Sequence, residues 1–230
     1  MPAPDGKRVY RSAARQEQAA RTRAAIRDAA TSRFSAEGYA ATSLRQVAAD
    51  AGVAERTLYA TFPSKQALFI HCLGVATVGD EEPVAAPDRP ALEQALADPD
   101  PREAVRRALG FGAALLDRAG RLIVVAIEAA AGEPELRRVA DEGSAATYGI
   151  HLRLAKRLAA TGDLAPGLTP RAGADVLYAL ASPHVHQLLR ADRGWSARRY
   201  ETWLVQTVTA QLLGTSSPAA PGGAGATLRG

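Results

Sequence analysis

Cysteine occurs once in 230 residues, at Cys72. A single thiol forms no internal disulfide framework and no cysteine-rich zinc site. Apolar runs are short: nowhere do about 18 apolar residues follow one another, so no membrane span is expected. The opening "MPAPDGKRVYRSAARQEQAARTR" is basic but has no apolar stretch of the kind a secretory signal needs. These absences favour a cytoplasmic protein. Strand signals are scarce as well. "RLIVVAI" is the only β-branched run, and it continues into the alanine-rich "EAAAG", which favours a buried helix. No internal repeat is evident. Neither a Gly-x-Ser-x-Gly elbow, nor a His-Glu-x-x-His pair, nor a phosphate-binding glycine loop occurs, and no nucleophile–base set stands out, which argues against an enzyme.

What is present is an ordinary globular composition, 47% hydrophobic and 23% charged, with helical patterning almost throughout. The charge is unevenly spread. Residues 1–65 hold eleven Lys and Arg against six Asp and Glu, a net of +5, while the remainder carries −1 of the total +4. A positive end attracts a polyanion, either nucleic acid or an anionic membrane; solvation of an exposed arm is the plain alternative.

Residues 1–20 have no apolar face and read as a flexible basic arm. From Arg21 a helix is expected, with Ile26, Ala29, Ala30 and Phe34 at helical spacing and Gly38 as its terminal cap. Thr42 or Ser43 can cap a second, short helix whose stripe is Leu44, Val47, Ala48 and Ala51, ended by Gly52 in the left-handed conformation. A third helix turns Leu58 and Phe62 inward and leaves Glu55, Arg56, Tyr59 and Ala60 more outward. Pro63 ends it, and Ser64 can cap a fourth helix carrying Ala67, Leu68, His71 and Cys72. Five prolines among acids mark residues 80–101 as a boundary with room for one short helix. Further helices are expected near 102–117, 120–131, 134–161, 170–190 and 196–213, and residues 215–230 have the composition of a disordered tail.

Two short helices joined by "AGVA" form a helix-turn-helix pattern, in which Gly52 permits the reversal and Val53 fills the angle. Helical hairpins of this shape also occur in proteins that bind nothing. Three features favour DNA. Lys65 sits at the positive end of a helix, where backbone N–H groups and an ammonium together make a phosphate socket. Tyr59 holds a phenol outward as a phosphate donor. Arg56 stands one turn before small Ala60 and Thr61, which let the backbone approach base edges.

The run "RAAIRDAATSRFSAEGYAATSLRQVAADAGVAERTLYATFPSKQALF" resembles the N-terminal DNA-binding domain of the TetR family of transcriptional regulators, over about residues 21–79. The resemblance implies an all-α chain: an N-terminal three-helix domain with a helix-turn-helix, then a C-terminal helical ligand-binding and dimerisation domain over residues 80–214. It implies that Thr42, Ser43, Thr57, Tyr59 and Lys65 hold phosphates and that Arg45, Arg56 and Ala60 face bases. Ala54 departs from the serine or threonine the family often has as the cap of helix three. For Arg8, Arg11 and Arg15 two readings stand: tracking the DNA backbone or a minor groove, and an unstructured solubilising tail.

The implied partners are a double-stranded operator, a small-molecule effector and a second copy of the chain, with repression the commoner outcome in the family and no cofactor. An architectural DNA-binding protein without effector is the rival, disfavoured by a C-terminal half larger than dimerisation requires. For the dimer seam the sequence offers "RAGADVLYALAS" and the stripe Tyr200, Trp203, Leu204 and Val208, against packing within one chain. Phe111, Glu128, Tyr148 and His151 are the candidate ligand contacts, because each interrupts an aliphatic face. His184 and His186 project about 200° apart on a helix and so share no metal ion.

Overall fold

The computed structural model describes residues 6–79 and 86–213, and among these every regular element is helical. The first helix, α1, runs Gly6–Ala41 across a kink at Gly38, whose φ of 80° fits glycine and little else. Gly38 therefore ends the straight part of the helix, as its position predicted. The start differs. From Gly6 the expected arm is helical, and the helix does not wait for Arg21. Alanine, arginine, glutamine and glutamate are strong helix formers, and extending a formed helix is easier than starting one. Arg21 reaches back to Glu17 at 2.8 Å and Gln18 at 3.0 Å on the exposed surface. The side chains of Arg8 and Arg11 lie outside the described residues.

Helices α2 (Leu44–Asp50) and α3 (Glu55–Thr61) follow, with Gly52 at φ +66° in the turn and Val53 packed on the core. Neither Thr42 nor Ser43 caps α2 through its side chain, against expectation. Ser43 is the extended residue before the helix but makes no capping bond, and the Thr42 hydroxyl donates instead to Gly38 O at 2.8 Å. Helix α4 (Lys65–Val78) does carry its predicted cap: Ala67 N–H donates to Ser64 Oγ at 3.0 Å. A short 3₁₀ turn at Ala86–Asp88 leads to α5 (Pro90–Leu96), the one short helix expected in the boundary.

Helix α6 (Pro101–Ala129) fuses two predicted helices into one of 29 residues and includes "RLIVVAI". Glycine in a helix costs about 1 kcal/mol relative to alanine. That is too little for Gly120 to break a helix buried on both sides of it. Helix α7 spans Pro134–Ala160. The predicted helix over 170–190 is instead α8 (Pro170–Leu180), α9 (Pro183–Gln187) and a π-helical turn, Leu188–Asp192. Pro183 has no N–H to continue α8, and Ser182 caps the new start by accepting from Val185 N–H at 3.2 Å. Helix α10 (Ala197–Leu212) opens at Ser196 as expected.

Two cores result. The first gathers Ile26, Phe34, Val47, Leu58, Leu68 and Phe69 from α1–α4 with Leu122, Val125 and Ala126 of α6 and Leu136 of α7. Phe34 and Phe69 meet edge to face at 4.9 Å. The second joins Val105 and Leu109 of α6 to Leu154, Leu158, Leu177 and the α10 stripe. Each fully buried Leu or Phe adds roughly 1.5–3 kcal/mol. The α10 stripe is a correction: Tyr200, Leu204 and Val208 are 0%, 1% and 0% exposed inside one chain, so they are no dimer seam. With one cysteine and, among the described residues, no strands, the chain builds its core from such stripes, and α6 and α8 claim this one. In the other proposed segment Gly173, Ala174 and Leu177 are buried, with a Cβ on Gly173 only 3.2 Å from Leu212 Cδ2, while Tyr178 and Ala179 stay exposed. Among the described residues no helix is long and apolar enough to cross a membrane.

Candidate nucleic-acid interface

Leu58 at 0% and Phe62 at 3% exposure fasten α3 to the first core, and that choice fixes which way its other residues point. Arg56, Tyr59 and Ala60 are exposed, and Tyr59, at 50%, is among the most exposed large hydrophobic side chains described. Arg56 makes no ion pair among the described residues, so its guanidinium fork is available. Thr57 is half-buried, and its carbonyl accepts from the Thr61 hydroxyl at 2.9 Å. Arg45 is largely exposed on α2 and lies 3.6 Å from Glu55, across the turn. At that distance and exposure the pair contributes little and leaves both groups free to re-pair.

Two predicted contacts look different in the structure. Thr42 is 3% exposed with its hydroxyl turned inward, so it does not present a phosphate donor as the resemblance implies. The kink at Gly38 brings that carbonyl within reach, and a buried hydroxyl takes the nearest acceptor. Lys65 folds back over α1: its Nζ donates to Ala40 O at 3.0 Å and stands 4.6 Å from the Tyr39 ring centre. Burial lowers its pKa from the ordinary lysine value, and Glu133 opposes that. An ammonium has three donors, so two remain. Ser43 is half-buried at the start of α2.

The sequence reading overlooked what braces this unit. Arg33 of α1 grips Asp50 at the end of α2 through Nε to Oδ2 at 2.5 Å and Nη2 to Oδ1 at 3.1 Å, and also reaches Glu37 at 2.7 Å. The paired fork raises the Arg33 pKa and lowers that of Asp50. Arg23 lies over the Phe62 ring at 4.7 Å, tying α1 to the end of α3. The Arg33–Asp50 spacing of 17 residues has no sequence signature, because it depends on how α2 folds back.

The four candidate ligand residues have different surroundings. Phe111 packs on the second core. Glu128 is exposed, 3.7 Å from Arg121. His151 is half-buried beside Tyr178, its Nδ1 is covered and has no hydrogen-bond partner, and burial pulls its pKa down to about 4. Tyr148 alone lines an open groove of about 440 Å³, with Leu152, Lys156, Thr169, Pro170 and Arg171. Its hydroxyl donates to Asp175 at 2.9 Å, which raises its pKa. His186 is 4% exposed and its Nε2 lies 3.0 Å from Asp117 Oδ1, while His184 is exposed. Among the described residues no cluster of three or more metal-ligating side chains occurs.

Comparison with known proteins places these helices in a context. Residues 26–72 match the family model described as bacterial regulatory proteins, tetR family. No curated protein matches the chain. Among solved structures, NalD, the secondary repressor of the MexAB-OprM multidrug efflux pump in Pseudomonas aeruginosa, is 26% identical, covering 86% of this chain and 98% of NalD with a TM-score of 0.63. The regulator FadR from Bacillus subtilis, solved with stearoyl-CoA, is 18% identical over 81% and 97% of the two chains, with a TM-score of 0.63. AibR, solved with isovaleryl coenzyme A and operator DNA, is 19% identical over 84% and 98%, with a TM-score of 0.60. The last two likenesses are of fold.

Proposed function

We propose that the chain is a TetR-family transcriptional regulator, a homodimeric repressor that leaves a palindromic operator when a small molecule binds its C-terminal domain. Residues 21–79 form the DNA-binding domain with its connecting helix, and residues 80–214 the effector-binding and dimerisation domain. The observation that carries the reading is the outward face of α3: Arg56, Tyr59 and Ala60 are exposed on a helix pinned from behind by buried Leu58 and Phe62. In this reading α3 enters the major groove, with Arg56 and Arg45 reaching base edges while Ala60 allows close approach. Tyr59, Ser43, Thr57 and the two unused donors of Lys65 hold phosphates, and Thr42 only shapes the turn. The likeness to NalD, itself a repressor, supports repression over an architectural role.

One recognition helix reads few base pairs, so a second copy presents a second helix to a half-site one turn, about 34–36 Å, away. The C-terminal helices supply the seam through faces other than the buried stripe of α10. An effector works by favouring a conformer that DNA does not, with a coupling of roughly 1–3 kcal/mol. Tyr148 and its groove are the place for contact with it. The test is a footprint on DNA flanking the protein's own gene. A protected palindrome, lost in Arg56→Ala and weakened in Tyr59→Phe with helicity intact, is the expected result. Uniform coating of any sequence would favour the architectural alternative.

A further inference from the structure

Helix α6 enters both cores, and the stretch between them carries charged residues that each hold a different element. Asp117 accepts from His186 Nε2 at 3.0 Å and from Arg190 Nε at 2.9 Å, fixing α9 and the π-helical turn. Arg121 Nε donates to Ser35 O of α1 at 3.0 Å. Arg118, between them, donates from Nε to Ala76 O and from Nη2 to Thr77 O, both at 3.4 Å, in the last turn of α4.

That contact has an electrostatic logic. A helix ends in unpaired carbonyls with partial negative charge, and a cation there is favourable. Helix α4 has no basic residue in its own last turn, so Arg118 supplies one from 41 residues away. Gly79, left-handed at φ +87°, closes α4, and a Cβ on it would lie 3.2 Å from Arg118 Nε. The glycine therefore makes room for the guanidinium as well as ending the helix. At its other end α4 begins at Lys65, directly after α3 ends at Thr61. Whatever holds the far end of α4 also aims α3.

We propose that Arg118 is the positioning residue that latches α4 to α6, so that the pose of the recognition helix follows movements of the C-terminal domain. The latch rests on the regulator reading for its purpose but not for its existence. Its bonds are long and solvent-exposed, so its loss alters where α4 sits more than whether the chain folds.

The experiment places spin labels on Ala49→Cys and Ala114→Cys, both exposed, in full-length protein diluted with unlabelled chain. Cys72 is buried with its thiol pushed up to about 11, and stays unlabelled. A narrow distance distribution is expected with Arg118 and a broader one in Arg118→Met. Arg118→Lys, which keeps the charge at the helix end, restores the narrow one. Arg106→Met, a surface change on the same helix, leaves it narrow. Operator affinity, read by fluorescence anisotropy on the footprinted site, falls roughly fivefold or more in Arg118→Met and returns in Arg118→Lys. An unchanged distribution in Arg118→Met, or equal broadening in Arg106→Met, overturns the latch. Failure of the unsubstituted protein to bind any footprinted site sinks the regulator reading and leaves the spin-label comparison standing.

Discussion

Ser64 and Ala54 occupy the same place, the extended residue before a helix, and only one of them can cap. Ser64 accepts from Ala67 N–H, whereas Ala54, at φ −67° and ψ 144°, already has the backbone for a cap and lacks the oxygen. Ser64→Ala should therefore lower stability by about 1 kcal/mol in urea unfolding, and Ala54→Ser should raise it by about 0.5–1 kcal/mol. His151 gives a pH dependence with a definite sign. Its folded pKa, about 4, is below the 6.5 of an ordinary histidine, because burial penalises the charged ring. Below pH 6.5 the unfolded chain therefore binds the extra proton and the folded chain does not. Stability is fully present above about 6.5 and falls as pH drops toward 4; His186, also lowered by burial, adds the same sign. Melting of His151→Leu should be flatter over that window, and retention of the full slope would count against this assignment. At this scale the sequence was readable where one local bond decides the matter, as at Ser64. It was not readable at Thr42 and Lys65, whose polar ends are captured by Gly38 and Ala40 carbonyls that only the kinked end of α1 presents.

Elements were read best where an apolar stripe and a breaker coincide. The α2–turn–α3–α4 run has both, with Gly52 at one end and Pro63 and Ser64 at the other, and the structure follows the pattern nearly residue by residue. Where propensity and packing disagree, the size of the local penalty decided: Gly120, at about 1 kcal/mol, did not divide α6, whereas Pro183 interrupted the helix despite the apolar character of 170–190. Two glycines of α6 make the point measurable. A Cβ on Gly112 would meet nothing within 4 Å, whereas one on Gly120 would lie 3.2 Å from His186 Nδ1. Gly112→Ala should raise stability by about 0.5–1 kcal/mol through helix propensity. Gly120→Ala should lower it by about 1 kcal/mol or more, since the buried ring held by Asp117 has to move. Thermal unfolding of the two variants side by side checks the opposite signs.

Across the whole molecule, the uneven charge seen in the first 65 residues finds its place: Arg45, Arg56 and Lys65 lie on or beside the two short helices. In the proposed dimer the Lys65 ammonium is the cation assigned to phosphate, one per subunit, so operator affinity should fall with salt, and the slope of log K against log salt should be about two units shallower in Lys65→Gln. What composition and periodicity could not convey is that the two halves share material. Leu122, Val125, Ala126 and Leu136, far along the chain, close the base of the first core. A head cut after residue 79 and grafted onto another regulator would thus leave its underside uncovered and stick to whatever it met. Swaps of specificity between such proteins would have to carry a strip of α6 and the start of α7 with them, or exchange only the handful of outward side chains on α3.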